Sequence, residues 1–356
     1  MEPRPSRFAR YLLAVYGFLV VYASLYPFSG WRDQGLSPLE FLAAPLPRFI
    51  TGFDLAANVV AYFPLGFLAV LAAAPRVHGH AAVAIAVALA AGSSLVLEGL
   101  QAYLPDRIPS NIDLATNVLG GFLGAVGGLA TWRSVVAHGG AHALRDRLFR
   151  AGAATDAGLV LLALWLFTQL NPETLLFGNG DLRGFFEAAE AELYAPETFV
   201  RIEAAVAGLN VLAVTLLVAA LANAGQPVRL FALAAIALAA LARAGAFAVL
   251  FAPGEALAWL TPGAAAGLAA GLAAAAFLAG LRRRWAIAAA GLALMTATAL
   301  VNLAPENPYH AHSLALWPQG HFLNFNGLTR LVSALWPFAA LAYLLAGATR
   351  ERAANE

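Results

Sequence analysis

A succession of long apolar segments constrains this chain of 356 residues more than any other feature. A helix needs roughly 20 mostly apolar residues to cross a bilayer, and because backbone groups in lipid must satisfy one another, such segments span as α-helices. The candidate spans are residues 8–27, 55–74, 81–103, 114–132, 156–171, 202–222, 228–251, 257–281, 285–304 and 329–348. The sequence therefore predicts an all-α, polytopic transmembrane helical bundle with about ten spans.

The composition agrees with a bundle whose surface lies largely in lipid. Hydrophobic residues make up 61% of the chain and charged residues 12%, and the mean hydropathy is +0.73. A soluble domain has roughly 45–50% apolar and about 25% charged residues. The net charge is +1 and the basic residues are scattered through short loops, so no nucleic-acid partner is expected. The absence of cysteine excludes disulfides and thiolate chemistry.

The arginines predict the orientation. With the N-terminus inside, the cytoplasmic segments hold 14 arginines and the outer segments six, while Arg243 alone falls within a span. Cytoplasmic loops carry the excess of basic residues, so both termini are predicted to be cytoplasmic. The first apolar run follows Arg4, Arg7 and Arg10 as in a signal peptide, but it is long enough to span. We therefore expect an uncleaved first helix.

The long outer loops are predicted at residues 28–53, 172–201 and 305–328. Acidic residues crowd the stretch 181–197, which is expected to form one or two interfacial helices on the outer leaflet or a solvated acidic loop. His310, His312 and His321 share the last outer loop with Glu306. A loop His-x-His is weak evidence for a metal, so no metal site is predicted.

Two short patterns indicate an internal repeat. The second span opens with Asp54-x3-Asn58 and the fourth with Asp113-x3-Asn117, and both run from the outer face inward. The bundle is thus expected to be built from repeated two-helix hairpins. The predicted divisions are a four-helix membrane domain, a basic cytoplasmic linker, a diverged four-helix repeat and a C-terminal two-helix hairpin with an outer loop, over residues 1–133, 134–155, 156–284 and 285–356.

Glycines at four-residue spacing predict close helix packing. Gly120 and Gly124 form one such pattern, and Gly263, Gly267 and Gly271 form another. Small residues let helix backbones approach closely in a membrane. Packing within the chain explains them better than a dimer interface.

Polar residues near the outer ends of the second, third and fourth spans are the candidate site. All fall within roughly 10 Å of the outer boundary at 1.5 Å per residue, and ionisable residues in a span mark a functional site by default. A single polar pocket open to the outer leaflet is therefore predicted, lined by Asp54, Asn58, Glu98, Gln101, Arg107, Asp113 and Asn117.

Structural roles for the same residues remain open. Asp54 and Asp113 are placed where helix N-caps occur. Asn58 and Asn117 suit interhelical hydrogen bonds, and Arg107 is the arginine nearest in sequence that could neutralise Glu98. At similar depth in two later spans, Glu203 and Arg243 are expected to form a structural intramembrane ion pair.

The motifs together resemble the VanZ-like family of bacterial membrane proteins. The resemblance covers residues 8–132 and rests on Asp54-x3-Asn58, Phe63-Pro-Leu-Gly66, Glu98-x2-Gln101, Arg107, Asp113-x3-Asn117 and Gly120. It implies a multi-pass protein of the bacterial cytoplasmic (inner) membrane and an association with low-level resistance to the glycopeptide teicoplanin. From about residue 150 the chain departs from the family's four-helix core, and Arg243 stands where a repeat of Glu98 would be.

Three functions are compatible with these residues. The first is binding of a cell-envelope lipid or lipid-linked glycan precursor in the outer-leaflet pocket. The second is a membrane-embedded hydrolase or transferase acting on such a lipid, with Glu98 and Asp113 as acid and base and Arg107 on an anionic group. The third is a lipid transporter or flippase, against which the polar residues lie at one face only. No GxSxG, HExxH, P-loop or Rossmann pattern is present, and no cofactor is predicted.

Overall fold

The computed structural model describes residues 7–35, 37–46, 51–74, 76–132, 140–183, 196–303 and 319–353. The chain divides into two compact units, Met1–Arg147 and Leu148–Glu356. The predicted divisions at residues 1–133, 134–155, 156–284 and 285–356 stay a prediction, as does the internal repeat.

The first unit is a bundle of four apolar helices followed by a short polar one. The helices are α1 Arg7–Leu25, α2 Gly52–Ala73, α3 Gly79–Gln101, α4 Asn111–Thr131 and α5 Gly140–Leu148. The side chains of Thr51 and Ser110 cap the starts of α2 and α4 by accepting bonds from backbone amides three residues on. A 3-10 turn at Glu40–Leu42 lies in the connection between α1 and α2.

Glycines on α4 allow this helix to lie against the backbone of α2. Side chains at Gly120, Gly124 and Gly128 would collide with the carbonyl oxygens of Val59, Phe63 and Phe67. The contact therefore repeats every four residues along both helices. Packing of small residues is the expected cohesive force where lipid gives helices no hydrophobic reason to associate.

The second unit is arranged around one long buried helix. Its helices are α6 Ala153–Thr168, α7 Pro196–Leu221, α8 Val228–Leu250, α9 Pro262–Leu278, α10 Arg283–Leu303 and α11 Gln319–Ala353. Helix α7 contacts α6, α8, α9 and α10, while α11 packs on α6 and α10. A helix that is apolar on all sides is expected at such a central position.

The second unit repeats the glycine contact of the first. Side chains at Gly263, Gly267 and Gly271 of α9 would collide with the carbonyl oxygens of Val200, Ala204 and Gly208 of α7. The sequence prediction of close helix packing within the chain is thus met in both units.

The prediction of an all-helical, multi-pass membrane bundle is confirmed. Helices occupy all ten predicted segments. Within the described residues, eight helices are long and apolar enough to cross a membrane, and the apolar helices Ala153–Thr168 and Pro262–Leu278 are shorter. Which side of the membrane each terminus occupies stays a prediction.

The segment that follows α6 is irregular and buried inside the second unit, which the sequence analysis did not anticipate. Residues 172–201 were expected to form an outer loop, yet Leu176, Phe177 and Asn179 are at most 2% exposed. Irregular backbone is tolerated in the interior where surrounding protein groups satisfy its polar atoms. The expected interfacial helices over 181–197 fall largely outside the described residues.

Candidate functional site

Glu98 lies at the junction of α3 and α4 and is the most buried of the seven candidate residues. Its side chain is 5% exposed, and one carboxylate oxygen accepts a 2.9 Å hydrogen bond from the backbone amide of Ser110. Ser110 is the N-cap of α4, and its hydroxyl accepts from the Asp113 amide at 3.4 Å. The positive end of a helix dipole favours a carboxylate there. Glu98 therefore joins the end of α3 to the start of α4.

Asn58 and Asp113 form the direct link between the two Asp-x3-Asn patterns. The Asn58 amide nitrogen donates to Asp113 Oδ1 at 2.9 Å and approaches the Thr116 hydroxyl at 3.4 Å. Asn58 thus acts as the interhelical hydrogen-bond donor that the sequence allowed. The bond also orients the Asp113 carboxylate near Glu98, with which it interacts electrostatically.

Asn117 lies deeper in the same cluster. Its amide nitrogen donates to the Ser94 hydroxyl at 3.0 Å, and its side chain is 6% exposed. The hydroxyl of buried Tyr62 interacts with the side chains of Ser93 and Ser94. The cluster so defined, here called the polar cluster, contains Asn58, Tyr62, Ser94, Glu98, Ser110, Asp113 and Asn117.

Sequence reasoning missed Tyr62, Ser94 and Ser110. A serine three residues before Asp113 is a recognisable N-cap pattern, and the Ser93-Ser94 pair interrupts an apolar span one turn before Glu98. Tyr62 carries no comparable signal, since a tyrosine in an apolar helix is more often a packing residue.

Gln101 and Arg107 turn toward α1 and away from the cluster's centre. Gln101 donates to the Ser24 carbonyl at 2.9 Å. Arg107 donates to the Tyr26 carbonyl through Nε at 3.2 Å and through Nη2 at 2.5 Å. Both side chains therefore bind carbonyls at the C-terminal end of α1, which lack partners within that helix.

Arg107 nevertheless contributes charge to the site. Burial lowers the pKa of its guanidinium, while the Glu98 and Asp106 carboxylates raise it and oppose the shift. Arginine remains protonated in proteins. The expected neutralisation of Glu98 by Arg107 thus takes the form of an electrostatic interaction, and the hydrogen bond to Glu98 comes from Ser110.

Asp54 acts as part of a capping box at the start of α2. Its carboxylate accepts from the Thr51 hydroxyl at 2.6 Å, and its amide donates to that hydroxyl at 3.1 Å. Its charge also interacts with the Asp113 carboxylate. The N-caps are Thr51 and Ser110, so the alternative reading of Asp54 and Asp113 as N-caps is wrong by three residues. Asp54 completes the capping box from the third position of the helix and lies at the edge of the polar cluster.

A connecting segment lies against the α3–α4 junction. The Arg32 amide donates to the Tyr103 carbonyl at 3.0 Å, and the Gln34 side chain donates to the Ala102 carbonyl at 2.8 Å. Asn111 at the start of α4 donates to the Ala44 carbonyl at 2.7 Å. These bonds hold parts of the segment 28–46 beside the loop that carries Arg107 and leads to Ser110.

In the second unit, Glu203 and Arg243 bind different partners. Glu203 interacts with the Thr261 hydroxyl and the Ala264 amide at the start of α9. Arg243 donates to the Asn171 carbonyl at 3.2 Å, to the Thr174 hydroxyl at 3.2 Å and to the Thr174 carbonyl. The two charges interact electrostatically. Glu203 binds the start of α9, whereas Arg243 binds the segment that follows α6.

The side chains of the histidines in the last predicted outer loop lie outside the part of the chain that the structure describes. His310, His312 and Glu306 lie outside the described residues, and the side chain of His321 is likewise not described.

Comparison with known proteins gives one match, and it lies within the first unit. Residues 8–132 match the model of the VanZ/LLP1 family. No curated protein and no solved structure matches the chain. The matched residues contain α1 to α4 and all seven candidate residues, so the resemblance to the VanZ-like family is confirmed over that part of the chain. Residues 8–132, here called the VanZ-like unit, thus form a VanZ-like region in a multi-pass membrane protein.

Proposed function

We propose that the VanZ-like unit binds the headgroup of a cell-envelope lipid or lipid-linked glycan at the outer leaflet. The observation that carries the proposal is the polar cluster, in which side chains of α2, α3 and α4 meet at one end of the bundle. Asn58 of α2 donates a hydrogen bond to Asp113 of α4. Glu98 of α3 accepts a hydrogen bond from the backbone amide of Ser110 at the start of α4.

The depth of the cluster suits a headgroup. Glu98 lies three residues before the end of α3, and Asn117 lies six residues after the start of α4. At 1.5 Å per residue these positions are about 5 and 9 Å from the helix ends. The polar atoms therefore lie near the boundary between headgroups and hydrocarbon if the helix ends mark the membrane surface.

A buried amide atom without a partner supports a ligand. Asn117 Oδ1 is buried and accepts no hydrogen bond from any residue that the structure describes, while Asn117 Nδ2 donates to the Ser94 hydroxyl. If the oxygen and nitrogen of the Asn117 amide were exchanged, the nitrogen would take the buried position without a partner, so one polar atom would still be unsatisfied. A buried polar atom without a partner costs about 1–3 kcal/mol, which a hydroxyl or amide of a bound molecule would offset.

The chemistry of the cluster favours a glycan or a polar headgroup with hydroxyl or amide donors. Glu98, Asp113 and Asn58 offer mainly acceptor oxygens, and ionised carboxylates only accept hydrogen bonds. Arg107 adds the one cationic group among the seven candidates and suits a phosphate next to the sugar. A lipid-linked sugar phosphate combines both requirements.

A membrane-embedded hydrolase or transferase is the second candidate. Glu98 interacts electrostatically with both Asp113 and Arg107. Two carboxylates beside a cation are groups that could transfer a proton while an anionic substrate is held. Release of product from a bound lipid would distinguish this candidate from binding alone.

Binding is tested with purified protein in nanodiscs by native mass spectrometry. The probes are a polyprenyl-diphosphate-linked disaccharide, the polyprenyl phosphate without sugar, and the uncharged polyprenol. We expect the glycolipid to be retained best, and Glu98→Gln to reduce its retention at least tenfold. Glu197→Gln is the matched control, because Glu197 is exposed on α7 and its ion pair within the described part of the chain is with Arg201 at 3.6 Å. Equal retention of all three probes would contradict the proposal.

The implied link to teicoplanin is tested in cells. Expression of the chain in a teicoplanin-sensitive bacterium should raise the concentration needed to inhibit growth, and Glu98→Gln should remove the increase at equal membrane abundance. An increase that survives Glu98→Gln would separate resistance from the polar cluster.

A further inference from the structure

We propose that an anionic phospholipid binds a groove along α10, with its phosphate on the arginines at the start of that helix. The groove has a volume of about 510 Å³ and is lined by Leu281, Trp285, Ala288, Ala289 and Leu292. It belongs to the second unit and is independent of the function proposed for the VanZ-like unit.

The groove follows one face of α10. Trp285, Ala288 and Leu292 recur at spacings of three and four residues, so they project from the same side of the helix. Trp285 is 56% and Leu292 68% exposed. The lining residues run from Leu281, just before α10, to Leu292, and the helix rises about 14 Å between Arg283 and Leu292 at 1.5 Å per residue. That length matches about half of the roughly 30 Å hydrocarbon core, which is the depth that one acyl chain occupies.

Positive charge lies at one end of the groove. Three consecutive arginines, Arg282 to Arg284, precede Trp285. Arg283 is used by the fold, since its Nε donates to the Ala220 carbonyl at 3.2 Å. Arg282 and Arg284 are exposed, and the Arg284 guanidinium lies 5.3 Å from the centre of the Trp285 ring. The tryptophan and the arginine therefore meet at the point where a headgroup joins its acyl chains.

Two of these three arginines have no ion pair with a residue that the structure describes. Other exposed or half-buried arginines of this unit pair with carboxylates, as Arg183 does with Asp181, Arg201 with Glu197 and Arg330 with Glu173. Neither Arg282 nor Arg284 has such a pair among the described residues. In the proposed site an anionic lipid supplies the negative charge opposite Arg282 and Arg284, and basic sites at the cytoplasmic ends of spans are where such lipids bind.

Tryptophan quenching by brominated lipids tests the site. The full chain is reconstituted in phosphatidylcholine vesicles that contain dibrominated phosphatidylglycerol or dibrominated phosphatidylcholine. The contribution of Trp285 is the difference between the wild type and Trp285→Phe. We expect this contribution to be quenched at a lower mole fraction of the brominated anionic lipid than of the zwitterionic one. An arginine near the surface is worth about a fivefold change in binding of an anionic lipid.

Three substitutions distinguish binding of the anionic lipid in the groove from a general attraction to positive charge on the protein surface. Arg284→Gln and Arg282→Gln should each reduce the preference for phosphatidylglycerol, and Arg282 is included because Arg284 also contacts the Trp285 ring. Arg229→Gln removes the same charge away from the groove and should leave the preference unchanged. A reduction in either groove variant with an unchanged Arg229→Gln supports the proposal. Equal quenching by the two lipids, wild-type preference in both groove variants, or an equal loss in Arg229→Gln overturns it.

Discussion

The amide nitrogen of Asn58 lies 2.9 Å from Asp113 Oδ1, so the asparagine of the first Asp-x3-Asn pattern binds the aspartate of the second. The glycines of α4 make this bond possible because they bring the two helix backbones together. The repeated pattern in the sequence is therefore realised as a contact between its two copies. The consequences can be tested in detergent micelles or nanodiscs.

The Asn58–Asp113 bond should appear as an energetic coupling. Asn58→Ala and Asp113→Ala should each lower the free energy of unfolding, and the double variant should lose less than the sum of the single changes. We expect a coupling of about 0.5–2 kcal/mol, the range for interhelical polar contacts in membranes. The measurement is a double-mutant cycle by denaturant titration in micelles. Strict additivity would show that the bond contributes no stability.

Glu98 should tolerate an amide better than an apolar side chain. Glu98→Gln keeps an oxygen that accepts from the Ser110 amide, whereas Glu98→Leu leaves that buried donor without a partner. We expect Glu98→Leu to be less stable than Glu98→Gln by about 1–3 kcal/mol. Thermal unfolding of the purified variants measures the difference. Equal stability of the two would mean that the Ser110 bond does not hold the junction.

The glycines of α4 should be intolerant of even a methyl group. Gly124→Ala places a methyl group against the Phe63 carbonyl and should destabilise the unit by about 1–3 kcal/mol. Gly92→Ala on α3 is the matched control, since no neighbouring atom of the described residues lies within 4 Å of its new methyl group. The control should be neutral or slightly stabilising because alanine is the better helix former. Similar losses in both variants would contradict the packing described here.

Arg243 should hold the buried segment after α6. Arg243→Met removes the donors to Asn171 and Thr174, so amide hydrogen exchange over residues 171–180 should accelerate while α9 and α10 stay protected. Arg201→Met, on the exposed side of α7, should change neither region. Acceleration across the whole second unit would show that Arg243 supports the fold at large and not this segment in particular.

The predicted orientation can be checked because the chain contains no cysteine. Single cysteines at Leu144→Cys and Arg284→Cys should resist a membrane-impermeant thiol reagent in intact cells. Cysteines at Glu40→Cys and Glu255→Cys should react. Labelling of Arg284→Cys from outside would reverse the arrangement of the second unit and would place the proposed phospholipid groove in the outer leaflet.

The helices were predictable because apolar length alone determines spans, and the glycine spacing predicted how two pairs of them pack. The burial of Leu176 to Asn179 was not predictable. Its polar and glycine residues are typical of a loop, and its partners, such as Ser333 bound to Asn179 at 2.9 Å, are distant in sequence. The site shows the same limit. Glu98 accepts a hydrogen bond from the backbone amide of Ser110, and because every residue except proline has such an amide, the sequence does not reveal this partner.

Photocrosslinking tests the central claim of headgroup binding in the VanZ-like unit most directly. A lipid-linked disaccharide with a photoreactive group on the sugar is bound in nanodiscs, irradiated and mapped by mass spectrometry of the digested protein. We expect crosslinks on peptides that contain Ser94 to Asn117, lost in Glu98→Gln and reduced by excess unlabelled glycolipid. Crosslinks confined to the second unit, or unchanged by Glu98→Gln and by competitor, would contradict the assignment of this cluster as a headgroup site.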